Sequence, residues 1–325
     1  MQKNIQELLN KPLREVEAQP LSEKREYYQR LRDYFAEIGQ NYSNEITLTQ
    51  KIMAKLGKKL RNFDIEIIGK ENIPKDGCLV ICNHSNTHDA FIAAEFLYQT
   101  GVPSTFLAAI EGLSPIELGL FKSARATMID RTDKKSTNVG IYDFISKLMG
   151  GDTGVIYGES TWNLHPFKPM QNIKIGGVKV AAIASKPIIP VIYEYVEVPK
   201  IVSKEKELYS RCIIKIGKPI EIDPSLSLIE QNNIVQKTME DMRRNLWKEI
   251  GTYRDKIEDV NPDIYVNHTW LKKFGTPLFS FDTEAENKLL FTKKGEPVEN
   301  EYYIDENGVF RPGIVLKKSK VKGIY

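Results

Sequence analysis

His84 and Asp89 place an imidazole and a carboxylate five residues apart, directly after the apolar segment 78–82. A carboxylate that holds one ring nitrogen orients the imidazole and makes it more basic, so the ring can take a proton from a hydroxyl near neutral pH. The pair therefore has the chemistry of half an active site. The alternative is that Asp89 or Thr87 only caps a helix over 90–99 and that His84 is an ordinary polar residue at a strand end.

A metal site is a second alternative, because His84 and His88 lie four residues apart and Asp89 follows. That spacing could bind zinc if the three residues shared one helix. The predicted turn between strand and helix breaks this geometry, and no Glu stands beside His84 as it does in metalloproteases. The remaining histidines are His165 and His268. We therefore predict no metal ion.

A second strand-like segment, 126–129, ends in Asp130 and Arg131. Arg131 would emerge at the same sheet edge as His84 and would offer a planar fork to a phosphate. The alternative is a surface salt bridge with Asp130 or Asp133.

A third strand-like segment, 154–157, runs through Gly158 into Glu159, Ser160 and Thr161. A carboxylate and hydroxyls at a strand end can hydrogen-bond a polyol or position an attacking alcohol. The alternative is an ordinary turn.

Residues 63 to about 251 alternate between short apolar runs and amphipathic segments. This alternation predicts an α/β fold with a mixed, largely parallel sheet flanked by helices, in which ligands bind at the carboxyl ends of strands. The predicted strands lie near 64–68, 78–82, 104–109, 126–130, 153–157, 187–193 and 211–217, and the predicted helices near 89–99, 114–123, 136–149, 173–185 and 226–250.

Three regions follow from this pattern. Residues 1–62 are predicted to be helical, 63–260 form the α/β domain, and 261–325 are a C-terminal extension of unknown role. The segment 48–61 has an apolar side and a lysine-rich side, which is typical of a helix in a membrane interface. The alternative is a helix whose apolar side packs on the core.

Composition limits the other classes of protein. A chain of 325 residues with 41% hydrophobic content can bury a sizeable core, and a net charge of +3 gives no general attraction to nucleic acid. Three cysteines provide no disulfide framework, and no window reaches the roughly 18 apolar residues of a membrane span. We expect a cytoplasmic protein with possible peripheral contact on the inner face of the cell membrane.

Four ordered blocks resemble the glycerol-3-phosphate/lysophosphatidate acyltransferase family. The first, close to N-H-x-S-x-x-D, lies at 83–89 with its H-x4-D spacing intact, and the second, an apolar run ending in Ile-Asp-Arg, lies at 129–131. The third is usually Phe-Pro-Glu-Gly-Thr-Arg and stands here as Tyr-Gly-Glu-Ser-Thr-Trp at 157–162. The fourth, an apolar run around Pro, lies at 188–191.

The resemblance implies an O-acyltransferase of phospholipid synthesis that moves a fatty acyl group from acyl-CoA or acyl-carrier protein to 1-acylglycerol-3-phosphate. It implies no cofactor, because the thioester donor already carries the activated acyl group. His84 would be the general base and Asp89 its orienting partner, while the acceptor would be bound by residues of the first three blocks. These are Asn83, Arg131, Glu159, Ser160, Thr161 and Trp162.

The third block departs from the family pattern. Ser160 and Trp162 replace the usual Gly and Arg, so one cation near the acceptor phosphate is missing and an aromatic surface is added. Two alternatives follow: an acyltransferase acting on a glycan or another non-glycerolipid alcohol, and an inactive protein that only holds lipid or acyl-carrier protein.

Overall fold

The computed structural model describes residues 2–42, 45–60, 63–85, 89–110, 113, 115–160, 163, 169–197, 209–251, 302–304 and 310–312. The helices are α1 (Gln2–Asn10), α2 (Leu13–Glu17), α3 (Leu21–Gly39), α4 (Leu48–Leu60), α5 (Asp89–Thr100), α6 (Pro115–Ser123), α7 (Lys134–Met149), α8 (Gly176–Ala184) and α9 (Leu228–Ile250). The strands are β1 (Asp64–Ile68), β2 (Leu79–Cys82), β3 (Ser104–Ala109), β4 (Thr127–Ile129), β5 (Thr153–Tyr157), β6 (Ile188–Glu197), β7 (Tyr209–Ile216), β8 (Tyr302–Ile304) and β9 (Phe310–Pro312).

The first seven strands form one sheet in the order β1-β7-β6-β2-β5-β3-β4. Strands β6, β2, β5, β3 and β4 are parallel to one another. Strand β7 is antiparallel to β6, and β1 is parallel to β7, so the first two strands of the order run the opposite way to the other five. The predicted α/β class with a mixed, largely parallel sheet is confirmed.

Alternate residues of the central strands face two layers of helices. Leu79 and Ile81 of β2 belong to the core shared with α3, α7, α8 and α9, whereas Val80 and Cys82 belong to the core shared with α4 and α5. Strands covered on both faces are apolar along their whole length, which is why they give continuous apolar runs in the sequence. Burying a side chain such as Leu79 contributes about 1.5–3 kcal/mol relative to leaving it exposed.

The N-terminal helices cover one of these faces. Leu31 and Phe35 of α3 are fully buried in the core that includes α7 and α8. Gly39 ends α3 where a Cβ atom would lie 2.7 Å from the carbonyl oxygen of Ser146 and 2.9 Å from the nitrogen of Gly150. Only a glycine permits this approach of α3 to the end of α7. The division into three regions remains a prediction.

Helix α4 presents apolar side chains to solvent. Met53 and Ala54 face the core, whereas Leu48, Ile52 and Leu56 are 73%, 50% and 37% exposed. The lysines Lys51, Lys55, Lys58 and Lys59 are also exposed. Of the segment predicted at 48–61, Arg61 lies outside the described residues. Among the helices in the described part of the chain, none is both long and apolar enough to cross a membrane.

Within the predicted C-terminal extension, β8 and β9 pair as a two-stranded antiparallel sheet. The other residues of 261–325 lie outside the described residues.

Candidate active site

The carboxyl ends of the parallel strands bring the predicted site residues to one edge of the sheet. Cys82, the last residue of β2, pairs with Tyr157 at the end of β5 and with Val191 of β6. The residues that follow β2 and β5, including His84 and Glu159, therefore meet across neighbouring strands. This is the edge at which ligands bind in open α/β sheets.

His84 and Asp89 form the predicted pair. Nδ1 of His84 lies 2.7 Å from Oδ2 of Asp89, and 23% of the imidazole side chain is exposed while the carboxylate is fully buried. A carboxylate at Nδ1 favours the tautomer that carries its proton there, which leaves the lone pair of Nε2 to accept a proton from a hydroxyl. The arrangement is that of a general base and its orienting group.

Three donors surround the buried carboxylate of Asp89. Besides His84, the backbone N–H of Ser85 donates to Oδ2 over 2.8 Å, and the Tyr195 hydroxyl donates to Oδ1. Asp89 is also the first residue of α5, where the helix macrodipole favours negative charge. These contacts give hydrogen-bond partners to both oxygens of a carboxylate that has no access to water.

Tyr195 is a site residue that the sequence analysis misses. It lies on β6, and the alternation of side chains along a strand places it on the same face as Val191 and Tyr193. That period of two was the available signal, because it predicts two hydroxyls on one buried face. It did not reveal that one of them reaches Asp89 across the end of β2.

The His84 residue is held on its ring and on both backbone polar groups. Its ring stacks on that of Tyr157, with centroids 4.4 Å apart and planes 24° apart. Its N–H donates to Oε1 of Glu159 over 2.8 Å, and its carbonyl accepts from the N–H of Asn163 over 2.5 Å. The imidazole is therefore covered on one face and fixed at its backbone.

Glu159 is fully buried, and its two oxygens accept from two different segments. Oε1 accepts from the N–H of His84 over 2.8 Å and Oε2 from the N–H of Gln171 over 2.6 Å. Burial raises the pKa of Glu159 to about 8, against the effect of these two N–H groups and of nearby Arg243. These contacts favour a positioning role over the predicted contact with acceptor hydroxyls.

The side chain of Asn83 bonds to the backbone of β6 at a point where β2 has already ended. Beyond Val191, strand β6 continues past the end of β2, and the Asn83 side chain pairs with the backbone of Tyr193 there. Its Oδ1 accepts from the Tyr193 N–H over 2.7 Å, and its Nδ2 donates to the Tyr193 carbonyl over 3.1 Å. Asn83 is fully buried, so its described contacts also favour positioning over acceptor binding.

Ser160 and Arg131 meet beside Glu159. Nη1 of Arg131 donates to the carbonyl of Ser160 over 3.0 Å, which brings the second and third sequence blocks together. Ser160 has a φ of 60°, in the left-handed region that favours glycine. The backbone thus explains why the family pattern has Gly at this position.

The neighbours of Arg131 have other partners as well. Asp130 accepts from Thr132, and Asp133 caps α7 by accepting from the N–H groups of Lys135 and Ser136. The cap explains why α7 begins at Lys134, two residues before the predicted start.

Several predicted residues lie outside the described part of the chain. They are Thr87, His88, Thr161, Trp162 and His165. Within the described ranges, no three or more His, Cys, Asp or Glu side chains are grouped to hold a metal ion.

Comparison with known proteins shows which proteins this chain is similar to. Residues 64–194 match the sequence model of the family described as Acyltransferase. A probable 1-acyl-sn-glycerol-3-phosphate acyltransferase of Mycoplasma pneumoniae is 25% identical over 69% of this chain and 85% of its own length. The 1-acyl-sn-glycerol-3-phosphate acyltransferase of Saccharomyces cerevisiae is 24% identical over 66% of this chain and 69% of its own.

The crystal structure of the 1-acyl-sn-glycerophosphate acyltransferase PlsC from Thermotoga maritima is also similar. It covers 61% of this chain and 79% of its own, with a TM-score of 0.47 and 20% identity.

The matched domain and the named relatives identify the protein as an O-acyltransferase. Residues 64–194 of the chain form an acyltransferase domain. The predicted enzyme class and family resemblance are confirmed.

Proposed function

We propose that this enzyme transfers a fatty acyl group from an acyl thioester to the free hydroxyl of 1-acylglycerol-3-phosphate in phospholipid synthesis. The single observation that carries the proposal is the pair formed by His84 and buried Asp89, 2.7 Å apart at the sheet edge. The names of the Mycoplasma and yeast relatives support a glycerophosphate acceptor.

In the proposed reaction, Nε2 of His84 takes the proton of the acceptor hydroxyl as its oxygen attacks the thioester carbonyl carbon. The C–O bond forms, and the tetrahedral intermediate collapses by breaking the C–S bond. The proton on the imidazolium then passes to the departing thiolate, so the base returns to its starting state. Asp89 stabilises the imidazolium between these steps, and positioned proton transfer of this kind contributes about 10²–10⁴ in rate.

Arg131 is the proposed ligand of the acceptor phosphate. Its guanidinium contacts the turn that follows β5, next to the buried Glu159 and on the same sheet edge as the base. Arginine binds phosphate oxygens through its planar fork. Ser160, Thr161 and Trp162 remain proposed acceptor contacts, whereas Asn83 and Glu159 are proposed to position the backbone around the base.

A thiol-release assay tests the proposed function. Wild type should release thiol from acyl-CoA or from acyl-carrier protein only when lysophosphatidate or glycerol 3-phosphate is present, and mass spectrometry should find the acylated product. The two thioesters in parallel identify the donor. His84→Ala, shown to be folded by its circular dichroism, should lose about 10²–10⁴ of the rate.

The sequence change at Trp162 motivates a second acceptor class, a glycan or another non-glycerolipid alcohol. Thioester cleavage that depends on such an alcohol and ignores both glycerophosphates would replace the first proposal. Folded wild type that cleaves no thioester with any acceptor would overturn both and leave a lipid- or carrier-binding protein.

We also propose that α4 contacts an anionic membrane surface. Exposed Leu48, Ile52 and Leu56 form a stripe with exposed lysines beside it, which is the composition of an interfacial helix. Wild type should sediment with vesicles that contain an anionic lipid and less with neutral vesicles.

Two serine substitutions test this contact. Ile52→Ser should weaken sedimentation, whereas Ile229→Ser, at a 62% exposed position on α9, should not. Equal binding by wild type and Ile52→Ser would remove α4 from the proposed contact.

A further inference from the structure

Polar side chains of α9 hold a segment that leads to the active site. Oε1 of Gln236 accepts from the N–H of Ile173 over 2.8 Å, and its Nε2 donates to the carbonyl of Gln171 over 3.2 Å. One turn earlier, Nδ2 of Asn232 donates to the carbonyl of Ile173 over 3.2 Å. Three hydrogen bonds therefore fix the backbone of 171–173 to the helix.

The start of the same segment is fixed by a buried ion pair. Nη1 of Arg243 donates to the carbonyl of Pro169 over 2.7 Å, and its Nε donates to Oε2 of Glu194 on β6 over 2.9 Å. Arg243 and Glu194 are both buried, and the guanidinium lies over the Trp247 ring at 5.3 Å. A buried ion pair with additional hydrogen bonds holds one geometry, because any displacement would leave charge uncompensated.

From this segment the contacts continue to the base. The N–H of Gln171 donates to Oε2 of Glu159 over 2.6 Å, and Oε1 of Glu159 accepts from the N–H of His84 over 2.8 Å. Lys174 adds a backbone bond to the carbonyl of Gly158 over 2.9 Å. Gln236 is thus linked to the backbone of His84 through Gln171 and Glu159, with a hydrogen bond at each step.

Position of the base matters because a displacement of about 1 Å at a reacting group can cost 100-fold in rate. Glu159 is buried, and each of its oxygens accepts from one N–H of this path, so the position of Gln171 helps to determine the position of the carboxylate. That carboxylate in turn holds the backbone that carries the imidazole.

We propose that Gln236 is a positioning residue for His84 and acts through Gln171 and Glu159. Helix α9 lies beyond residues 64–194 that match the family, so part of the support for the catalytic base comes from outside the matched domain. This inference rests on the proposed role of His84 in acyl transfer.

The test substitution is Gln236→Met, which keeps the length of the side chain and removes both bonds to the segment. We expect kcat to fall about tenfold while KM for donor and acceptor stays the same, because the base is displaced and the binding groups are not. Asn232→Ala, which removes one bond, should give a smaller loss of kcat with the same KM and provides a second variant if Gln236→Met does not fold.

Gln231→Met is the matched control. Gln231 lies on the same helix and also holds a backbone segment, accepting from the N–H of Asp223 and donating to the carbonyl of Glu221, both over 3.2 Å. No contact of Glu159 or His84 described above includes that segment. Its substitution should lower the melting temperature without the loss of kcat.

A double substitution tests the route. In the Glu159→Gln background, Gln236→Met should add little further loss, because the two residues act in series. Equal losses of kcat in Gln231→Met and Gln236→Met, or losses that multiply in the double variant, would overturn the proposal. If wild type is active and Gln236→Met has the same kcat, only this inference is wrong. If wild type transfers no acyl group, the proposed function itself is wrong.

Discussion

Two turns at the same sheet edge each present a buried carboxylate, and the two carboxylates have different partners. Asp89, after β2, accepts from the His84 ring, the Tyr195 hydroxyl and the Ser85 N–H. Glu159, after β5, accepts from the backbone N–H groups of His84 and Gln171. The first carboxylate contacts the imidazole ring itself, and the second contacts the backbone that carries this ring. Similar position and burial therefore do not imply the same role.

The largest effect should come from Asp89→Asn. An amide nitrogen facing Nδ1 of His84 would donate to it, which stabilises the wrong tautomer and places the ring proton on Nε2. We expect kcat to fall by about 10²–10⁴ in acyl-transfer assays.

Asp152→Asn is the matched control for that substitution. Asp152 is a buried aspartate paired with Arg125 over 2.7 Å, at the opposite edge of the sheet, before β5. Full activity of Asp89→Asn would contradict the role given to the first carboxylate.

Glu159→Gln should change the pH dependence of stability. Burial raises the pKa of Glu159 from 4.5 to about 8, so between these values the folded chain holds a proton that the unfolded chain has lost. The free energy of unfolding of wild type should therefore fall as the pH rises through this window, on the order of a few kcal/mol. Denaturant unfolding at pH 5, 6.5 and 8 measures the change.

The glutamine variant lacks this titration, so its stability should approach or exceed that of wild type as the pH rises. A constant difference between the two proteins across the window would show that Glu159 is already ionised at pH 5. In that case its two N–H partners outweigh its burial.

A smaller effect is expected for Tyr195→Phe. The substitution keeps the ring packed against Phe63 and removes only the donor to Oδ1 of Asp89. Leaving that buried oxygen without this donor should cost about 1–3 kcal/mol of stability and reduce kcat severalfold.

Tyr193→Phe separates this loss from any general effect of removing a buried hydroxyl on β6. Its hydroxyl contacts Sγ of Cys82, 3.2 Å away, and its backbone bonds to Asn83 remain. Equal kinetic losses in the two variants would argue against a specific contribution of Tyr195.

The smallest effect should be a gain. Ser160 has a φ of 60°, in the left-handed region, and lies in the turn that contains Glu159. Ser160→Gly should relieve the backbone strain at this position. We expect the free energy of unfolding to rise by about 1 kcal/mol. Thermal unfolding of both proteins measures it, and a lower melting temperature would mean that the serine hydroxyl compensates for the strain.

The sequence predicts a strand or helix well where both faces of the element are buried, or where buried positions recur with a regular period. Each strand predicted between residues 64 and 217 is present, because apolar runs between turns have few other ways to be buried. The meeting of His84, Arg131 and Glu159 also follows, since carboxyl ends of parallel strands share one edge.

Side-chain direction is what the sequence does not provide. A pattern places Asn83 and Glu159 at strand ends, yet their bonds to Tyr193 and Gln171 depend on segments that are distant in the chain. Helix α4 shows the same limit, because its packed face uses Met53 and small residues and leaves the aliphatic stripe outside. Periodicity identifies faces of a helix but not which of two will be covered.

Strand β6 is longer than its neighbour β2. Because of this length, the residues that match the family model end before the strand does. The match to the family ends at residue 194, inside a strand that runs to Glu197. The next residue, Tyr195, donates to Asp89 of the proposed catalytic pair, and the antiparallel partner β7 follows. A fragment trimmed to the matched residues would leave β6 as an unprotected sheet edge, so an exchange of domains between relatives should keep β6 and β7 together.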